Sequence, residues 1–396
     1  MPHLSTMPDP GELTSDWQLH VVRSSAEMEA LRPHWDELLE RSACPSPFSR
    51  WDWLWRWHQQ FRDEHELAIG VARDGRGEVR GIAPLMLRRG SSGGRRWMRH
   101  LMQLGGEGPV VGERQDWLVA RGDEAEVMPV LCQTLGRLRR EWDAILLRKL
   151  PAESPLLPYM RAVLQSEGSA ARQLYASSCQ ICHLPPSLEA YEATHSSRWR
   201  RNLRNRWRGL MEDHAGGVGL VSADDDVAAR VDQFSELHRQ HYPDGRSSFV
   251  ETRAWEFHRG LAVDWLREGR ASMPYLTSAG RLIAALYCLK EGETMYQYQM
   301  GWEATFSKLS LGYLVMRHGF DAAIRSGVRT YDLLPGEAGR YKAEWCPEVR
   351  WVLDWEAFRP GSARALLFRG MRGLQRLAHR RAPVGAAAAP EGEEVG

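Results

Sequence analysis

An order of periodic segments that occurs twice does most to limit what this chain can fold into. Each half reads strand, two helices, three strands, helix, strand. The first half opens with a strand at 17–22 and a helix at 25–41 that carries Met28, Leu31, Trp35 and Leu38 on one face. The run WDWLWRW (51–57) has a strand-like period of two. Trp51, Leu54, Trp55, His58 and Phe61 nevertheless continue an i, i+3, i+4, i+7 face behind Ser49 as N-cap, which predicts a helix. Strands at 66–72, 79–87 and 115–120 follow, then a helix at 123–140 and a buried strand at 142–147. A helix at 154–166 and a strand at 171–183 close the half. The second half has a strand at 217–221, helices at 223–241 and 250–268, and strands at 272–277, 281–289 and 293–302 with turn sequences SAGR and EGET. A helix at 308–325 stops at Gly327, and strands at 328–334 and 348–356 finish the half. Helices at 187–195 and 197–213 join the two.

Composition agrees with a folded chain of more than one domain. The 396 residues are 43% hydrophobic and 26% charged, which supports a large core and excludes disordered, collagen-like and coiled-coil classes. The formal net charge is +1, which disfavours a generally basic nucleic-acid binder. Of 52 basic residues only Lys149, Lys290, Lys308 and Lys342 are lysine. No stretch approaches a membrane span of about 20 apolar residues, and residues 1–16 do not read as a secretory signal. Six cysteines in a chain of this length make no disulfide framework, so the expected compartment is a reducing cytoplasm. Residues 1–16 and 383–396 have too few large apolar residues to order, and the segment between carries a basic amphipathic helix at 359–382.

Local text then adds a resemblance. The segments SPFSRWDWLWRWHQQF (46–61), GIAPLMLRR (81–89), WDAILLRKLPAESPL (142–156), SSRWRRNLRNRWRGL (196–210), YQYQMGWEATFSKLSLGYLVMRHGFDAAIRSG (296–327) and YDLLPGEAGRYKAEW (331–345) resemble the CelD-like branch of the GNAT acyltransferases. That branch is tied to cellulose and exopolysaccharide biosynthesis and is related to the FemAB/FemX transferases. The resemblance covers 17 to about 356. It implies an α/β (α+β) fold of two tandem GNAT-like lobes, each a mixed, mostly antiparallel sheet flanked by helices. The lobes would span 17–184 and 185–358, with the donor site in the second. It further implies transfer of an acyl group from acetyl-CoA or a longer acyl-CoA to a small-molecule or sugar-linked amine, with no metal and no haem.

The residues themselves say where such chemistry would sit. A helix N-terminus binds anions through its free N–H groups and its dipole. The first-half helix opens with Asp123, Glu124 and Glu126, whose carboxylates repel a pyrophosphate. The second-half helix opens with Ser307, Lys308, Ser310 and Gly312 and no acid. Only Lys308 and Gly312 stand where the family has Q/R-x-x-G-x-G/A. The strand MYQYQMGW is expected to line the acyl group, with Gln299, Met300 and Gly301 against the donor and Trp302 against the substrate. Asp332, near a strand's C-terminal end, is the first expectation for the general base, followed by Glu337, with Tyr298 completing the catalytic set. Tyr341 and Lys342 would hold an anionic group of donor or acceptor. Arg201 and Arg204, in an arginine-rich helix, would hold phosphates of a nucleotide-linked substrate, or tRNA in a FemAB-like alternative. A non-catalytic accessory role in polysaccharide biosynthesis is the other alternative. The basic helix near the C-terminus is suited to peripheral contact with anionic lipid.

Two further motifs do not fit this scheme. Cys179-Gln-Ile-Cys182-His183 matches the haem-attachment pattern but lies in an apolar strand pattern without an export signal. GGEGPVVG (105–112) has the wrong spacing for a dinucleotide loop and reads as a flexible connection.

Overall fold

The computed structural model describes residues 16–89, 97–166, 168–242, 247–336 and 340–371. In the first lobe the elements run Gln18–Val22 (β1), Ser25–Glu29 (α1), Arg32–Arg41 (α2), Trp51–Phe61 (α3), Glu66–Leu67 (β2), Ile69–Arg73 (β3), Val79–Ala83 (β4), Leu85–Arg89 (β5), Arg99–Gln103 (β6), Leu118–Val119 (β7), Glu124–Arg137 (α4), Ala144–Pro151 (β8), Leu156–Ser166 (α5) and Ala170–His183 (β9). Leu188–Ala193 (α6) and Ser197–Arg208 (α7) lead to the second lobe. There Gly216–Leu220 (β10), Val227–His241 (α8), Thr252–Arg267 (α9), Ala271–Ser272 (β11), Pro274–Ser278 (β12), Arg281–Glu291 (β13), Thr294–Trp302 (β14), Leu311–Arg325 (α10), Thr330–Pro335 (β15), Arg340–Trp345 (α11) and Glu348–Phe358 (β16) follow.

The WDWLWRW run is helix α3, as predicted, but Trp53 and Trp57 are buried beside the predicted Trp51, Leu54, His58 and Phe61, Trp55 is only half-buried, and Arg50 rather than Ser49 stands at the N-cap. Several details depart from the sequence reading, and the strands expected at 66–72 and 79–87 each divide between two sheets, β3 and β4 in one and β2 and β5 in the other. The helix expected at 25–41 breaks into α1 and α2 near Pro33. The strand β6 lies in a segment for which the sequence pattern predicts no element, because its alternation is too short to stand out. A five-residue π turn at Gly209–Asp213 ends the helix expected to run to 213.

The fold is mixed α/β, with helices flanking the sheets. A four-stranded sheet, β1-β3-β4-β7, belongs to the first lobe. A second sheet, ordered β10-β12-β13-β14-β15-β9-β16-β8-β6-β5-β2, runs through both lobes. Its centre is an exchange: β9 pairs with β15 of the second lobe, while β16 pairs with β8 of the first. The β9–β16 ladder extends from Glu348↔Ile181 to Phe358↔Ala170. One apolar cluster likewise joins the lobes, with Trp53 edge-on to Phe257 at 5.0 Å and to Tyr298 at 5.8 Å.

An ion pair seals this junction. Arg50 Nε and Nη2 donate to Glu291 at 2.5 and 2.8 Å, and the Glu291 side chain is 2% exposed. The same guanidinium reaches Asp36 at 3.2 Å and Glu40 at 3.0 Å. At 363–371 the C-terminal helix docks through Ala365 and Phe368, so Leu366, Leu367 and Met371 face solvent instead of the core. Residues 1–15 and 372–396, which include most of the segments expected to be unordered, lie outside the described residues.

Removing one partner of a buried pair leaves the other charge uncompensated. Arg50 keeps Asp36 and Glu40 when Glu291 is removed, whereas buried Glu291 has only acids left when Arg50 is removed, so Arg50→Ala is expected to lower stability by about 3–5 kcal/mol, measured by urea unfolding. A loss below about 1 kcal/mol, the value of an exposed pair, would place Arg50 and Glu291 in solvent rather than in a sealed junction.

Candidate active site

The site forms where two parallel strands part. β14 and β15 pair in parallel over Thr294↔Thr330, Met295↔Tyr331 and Tyr296↔Asp332. β14 then runs on to Trp302 and β15 to Pro335, and no strand pairs with the facing edge of β14 among the described residues. Tyr287 faces Gln299 and Cys288 faces Gln297, so Tyr298 is an extra residue in β14, a bulge. The fork holds a cavity of about 680 Å³. Gln297 to Met300 and Trp302 line it from β14, Leu333 to Pro335 from β15 with Gly336 just beyond, Tyr341 and Lys342 from α11, and Gly312, Tyr313 and Met316 from the start of α10 with Ser310 at its N-cap. His241 and Tyr242 at the end of α8 complete the wall.

The first lobe has the same fork, filled. There β6 and β8 pair in parallel up to Met102↔Leu146. The next residue, Gln103, is 1% exposed. Its Oε1 accepts from Arg148 N at 2.8 Å and its Nε2 donates to Gln115 O at 3.5 Å. The N–H two residues beyond the last parallel pair is thus satisfied across the gap. In the second lobe the matching N–H belongs to Leu334, and Asp332 in its own strand accepts it at 2.8 Å. Gln297, at the place of Gln103, instead accepts from the Tyr331 hydroxyl at 3.2 Å. With its backbone donor paired internally, the second fork needs no bridge and stays open.

Leu334 stands in the left-handed region at φ 54°, beside a register shift between Asp332 and Pro335. That conformation costs a non-glycine residue of the order of 1 kcal/mol or more, and its neighbours hold it. Lys342 Nζ donates to Leu333 O at 3.1 Å and Leu334 O at 3.2 Å. Burial lowers the Lys342 ammonium from its ordinary value, with nearby thiols and carboxylates opposing.

Asp332 itself is 1% exposed and does not line the cavity. Its Oδ2 lies 3.7 Å from Arg114 Nε of the first lobe, whose side chain is 6% exposed. Burial raises the Asp332 carboxyl and Arg114 counteracts. The residue expected to be the base is occupied on one oxygen by a backbone N–H and faces a guanidinium with the other. Tyr298 presents its ring, while its hydroxyl turns to His258 Nε2 at 3.4 Å. Glu337 lies outside the described residues.

The remaining expectations divide. Gln299, Met300, Trp302, Ser310, Gly312, Tyr341 and Lys342 meet at the cavity. Ser307 and Lys308 are exposed on a 3₁₀ turn and do not line it. Gly301 admits a helix rather than a donor, since a Cβ there would stand 2.7 Å from His238 N. Arg201 and Arg204 are exposed and away from the wall, because the apolar side of α7 (Trp199, Leu203, Trp207) packs inward. Arg206 is the arginine of α7 that comes near, its guanidinium 5.5 Å from the Tyr313 ring. The N-terminus of α10 has no side-chain cap, with Ser310 left-handed at φ 51°. The GGEGPVVG segment is tied down: Val110 O accepts from Trp57 Nε1 at 2.9 Å and Pro109 O from Ser248 Oγ at 3.0 Å. Cys179 and Cys182 are buried on β9, and the Cys182 thiol donates to His183 O at 3.5 Å.

Sequence reasoning missed His241, Tyr242, Tyr313 and Met316. The helical spacing of Tyr313 and Met316 behind Gly312 was available as a signal. His241 packs on Trp302 with ring centroids 3.4 Å apart, and nothing local in the sequence announces that pairing.

Comparison with known proteins bears on this geometry. Residues 197–343 match the acetyltransferase (GNAT) domain family. The matched stretch holds every residue of the cavity wall. The fold is similar to the crystal structure of FemX, at 9% identity and TM-score 0.57, covering 87% of this chain and 98% of that one. It is also similar to a conserved protein of unknown function from Bacteroides thetaiotaomicron (11% identity, TM-score 0.53, 86% and 100% covered). A third is the C-terminal domain of a putative lysylphosphatidylglycerol synthetase from Agrobacterium fabrum (13% identity, TM-score 0.51, 89% and 97% covered). No curated protein sequence matches the chain. The likeness of residues 197–343 to that domain supports an acyltransferase type, and no described helix is long and apolar enough to cross a membrane.

Two outcomes test this account. Asp332→Ala leaves Arg114 its Glu153 partner but strips the buried Leu334 N–H of its acceptor, so stability should fall by about 1–3 kcal/mol in urea unfolding. A folded variant of wild-type stability would return Asp332 to a purely chemical role. His258 is 1% exposed behind Tyr298, and burial holds its imidazole down to about 3. Unfolded, it takes a proton near 6.5; folded, it stays neutral, so its contribution is lost as pH falls from 6.5 toward 3. The stability difference between wild type and His258→Leu should shrink by up to about 1.4 kcal/mol per pH unit across that window. A difference independent of pH would show that His258 is solvated.

Proposed function

We propose that this chain is an N-acyltransferase that moves an acyl group from acetyl-CoA or a longer acyl-CoA to an amine, small or sugar-linked, in the β14–β15 fork. The open fork carries the reading. A thioester arm laid between the parted strands meets a β14 edge whose backbone groups have no ladder partner. Such fixed N–H donors stabilise the oxygen on which charge develops during attack. The uncapped start of α10, with Gly312 at the wall, suits the donor's pyrophosphate. Tyr298, Met300 and Trp302 pack the acyl and pantetheine parts, and His241 and Tyr242 stand on the acceptor side. The plugged first fork leaves one donor slot per chain. A cytoplasmic place in polysaccharide synthesis is consistent with the CelD-like resemblance.

A second reading, a FemAB-like transferase that takes its donor from aminoacyl-tRNA, has one observation in its favour. Arg201 and Arg204 lie exposed on α7 without an ion pair among the described residues. Binding by that face would fall steeply with salt.

Acetyl-CoA at about 100 times its dissociation constant should stabilise the protein by about 2.7 kcal/mol, seen as a rise in Tm. Gly312→Glu should abolish the rise by placing a carboxylate where the pyrophosphate lies, whereas Lys308→Glu should keep it. No rise with any acyl-CoA, together with salt-sensitive tRNA binding, would replace this reading by the second.

A further inference from the structure

We propose that the C-terminal helix at 363–371 docks this protein on a membrane surface that carries anionic lipid, with Leu366, Leu367 and Met371 entering the headgroup layer. The proposal does not rest on the acyl-transfer reading. Eight large apolar side chains are exposed among the described residues, and three of them stand on this one helix. Leu366 and Leu367 are each 61% exposed and Met371 is 38% exposed. The helix cannot turn them inward, because its opposite face is already anchored. Ala365 and Phe368 are buried in a cluster with Met98, Ala144 and Phe358. The Phe368 ring meets Phe358 at 6.0 Å and the half-buried Trp97 at 6.2 Å. At about 3.6 residues per turn, Leu366, Leu367 and Met371 share the outward face, and the exposed Arg364 and Arg369 stand on its two borders.

The charge around the helix selects the partner. Asp143, 1% exposed, lies at its root and accepts from Ser362 Oγ at 3.0 Å. Three guanidiniums converge on that carboxylate, Arg99 at 3.3 Å, Arg359 at 3.1 Å and Arg364 at 3.5 Å. Three cations on one anion leave a surplus of two positive charges. Arg369 adds another, its guanidinium 5.8 Å from the centre of the Phe358 ring. The sequence keeps this bias, since Ala357 to Pro390 contains seven arginines and no Asp or Glu. Leu374 and Leu377 also keep the helical period of the outward leucines.

Anionic lipid fits both features at once. Arginines beside an apolar stripe lay their stems on hydrocarbon and place their heads among phosphates. A nucleic-acid backbone would pair with the arginines and leave the leucines in water. A second copy of this face would cover the leucines but set arginine against arginine. Neither feature suffices alone, because a stripe of three apolar side chains is narrow and exposed charges are screened by salt. Binding therefore needs the leucines and the arginines together.

The test is co-sedimentation of the full chain with vesicles of phosphatidylcholine alone or of phosphatidylcholine with about one third phosphatidylglycerol. Binding should be at least about tenfold stronger on the anionic vesicles, since each basic residue near such a surface adds to the attraction. It should weaken as salt is raised. Leu366→Ser combined with Leu367→Ser should lower binding to the anionic vesicles at least about tenfold. Both side chains are exposed, so Tm should stay at the wild-type value. A wild type that stays in the supernatant with anionic vesicles, or binds both kinds alike, would overturn the proposal whatever the variant does. A folded double variant that binds as the wild type does would move the contact to another surface and overturn it too. Self-association that the double variant abolishes, without lipid binding, would assign the face to a second copy instead. The acetyl-CoA shift in Tm should be the same in the double variant, so a failure of either reading leaves the other standing.

Discussion

A single backbone N–H decides which of the two lobes has an open site. Two residues past the last parallel pair, each lobe has an N–H at the mouth of its fork. Arg148 N is satisfied by a side chain from the opposite strand, and that side chain fills the gap. Leu334 N is satisfied by Asp332 of its own strand, and the gap stays free. A buried donor must find a partner, and where it finds one sets whether the strands enclose a glutamine or a cavity. The rest of the site follows from that choice. Arg114 compensates the buried Asp332 charge, Lys342 takes the carbonyls of Leu333 and Leu334, and the strained Leu334 is fixed between them.

This arrangement needs both lobes. The exchange of β9 and β16 puts strands of each half against the other, so the sheet has no seam at the junction. The tryptophan-rich α3 supplies apolar surface to the second lobe's core, and Arg50 anchors the junction to Glu291. Fully buried aromatic side chains each remove a large area from water, which makes this interface resemble a domain core more than a contact between independent units. In the first lobe Gln103 fills the fork, and that lobe backs the second lobe's core without lining its cavity.

Much of this was legible in the sequence. The repeated element order stands in periodicity alone, and α3 could be separated from a strand because Trp51, Leu54, Trp55 and His58 follow a helical face. The cavity residues of β14 and α11 were legible because they lie in one continuous run near a strand end. Ser307, Lys308, Arg201 and Arg204 were not, since a composition of small and basic residues says nothing about which way a turn or helix face points. Gly301 illustrates the same limit: a glycine reports a close approach, and here the approaching group is the backbone of α8. β6 escaped notice because five residues of mixed polarity do not establish a period.

What no local pattern can show is a contribution from about 200 residues away along the chain. Glu113 sits in a glycine-rich segment whose composition signals a loose loop. Three side chains, two of them from other elements of the first lobe and one from the second, pin it instead. Fixing a charged loop inside a protein costs conformational entropy and desolvation. Those three ties, one of them to Ser248 of the second lobe, make this loop part of the junction between the lobes rather than a free connection.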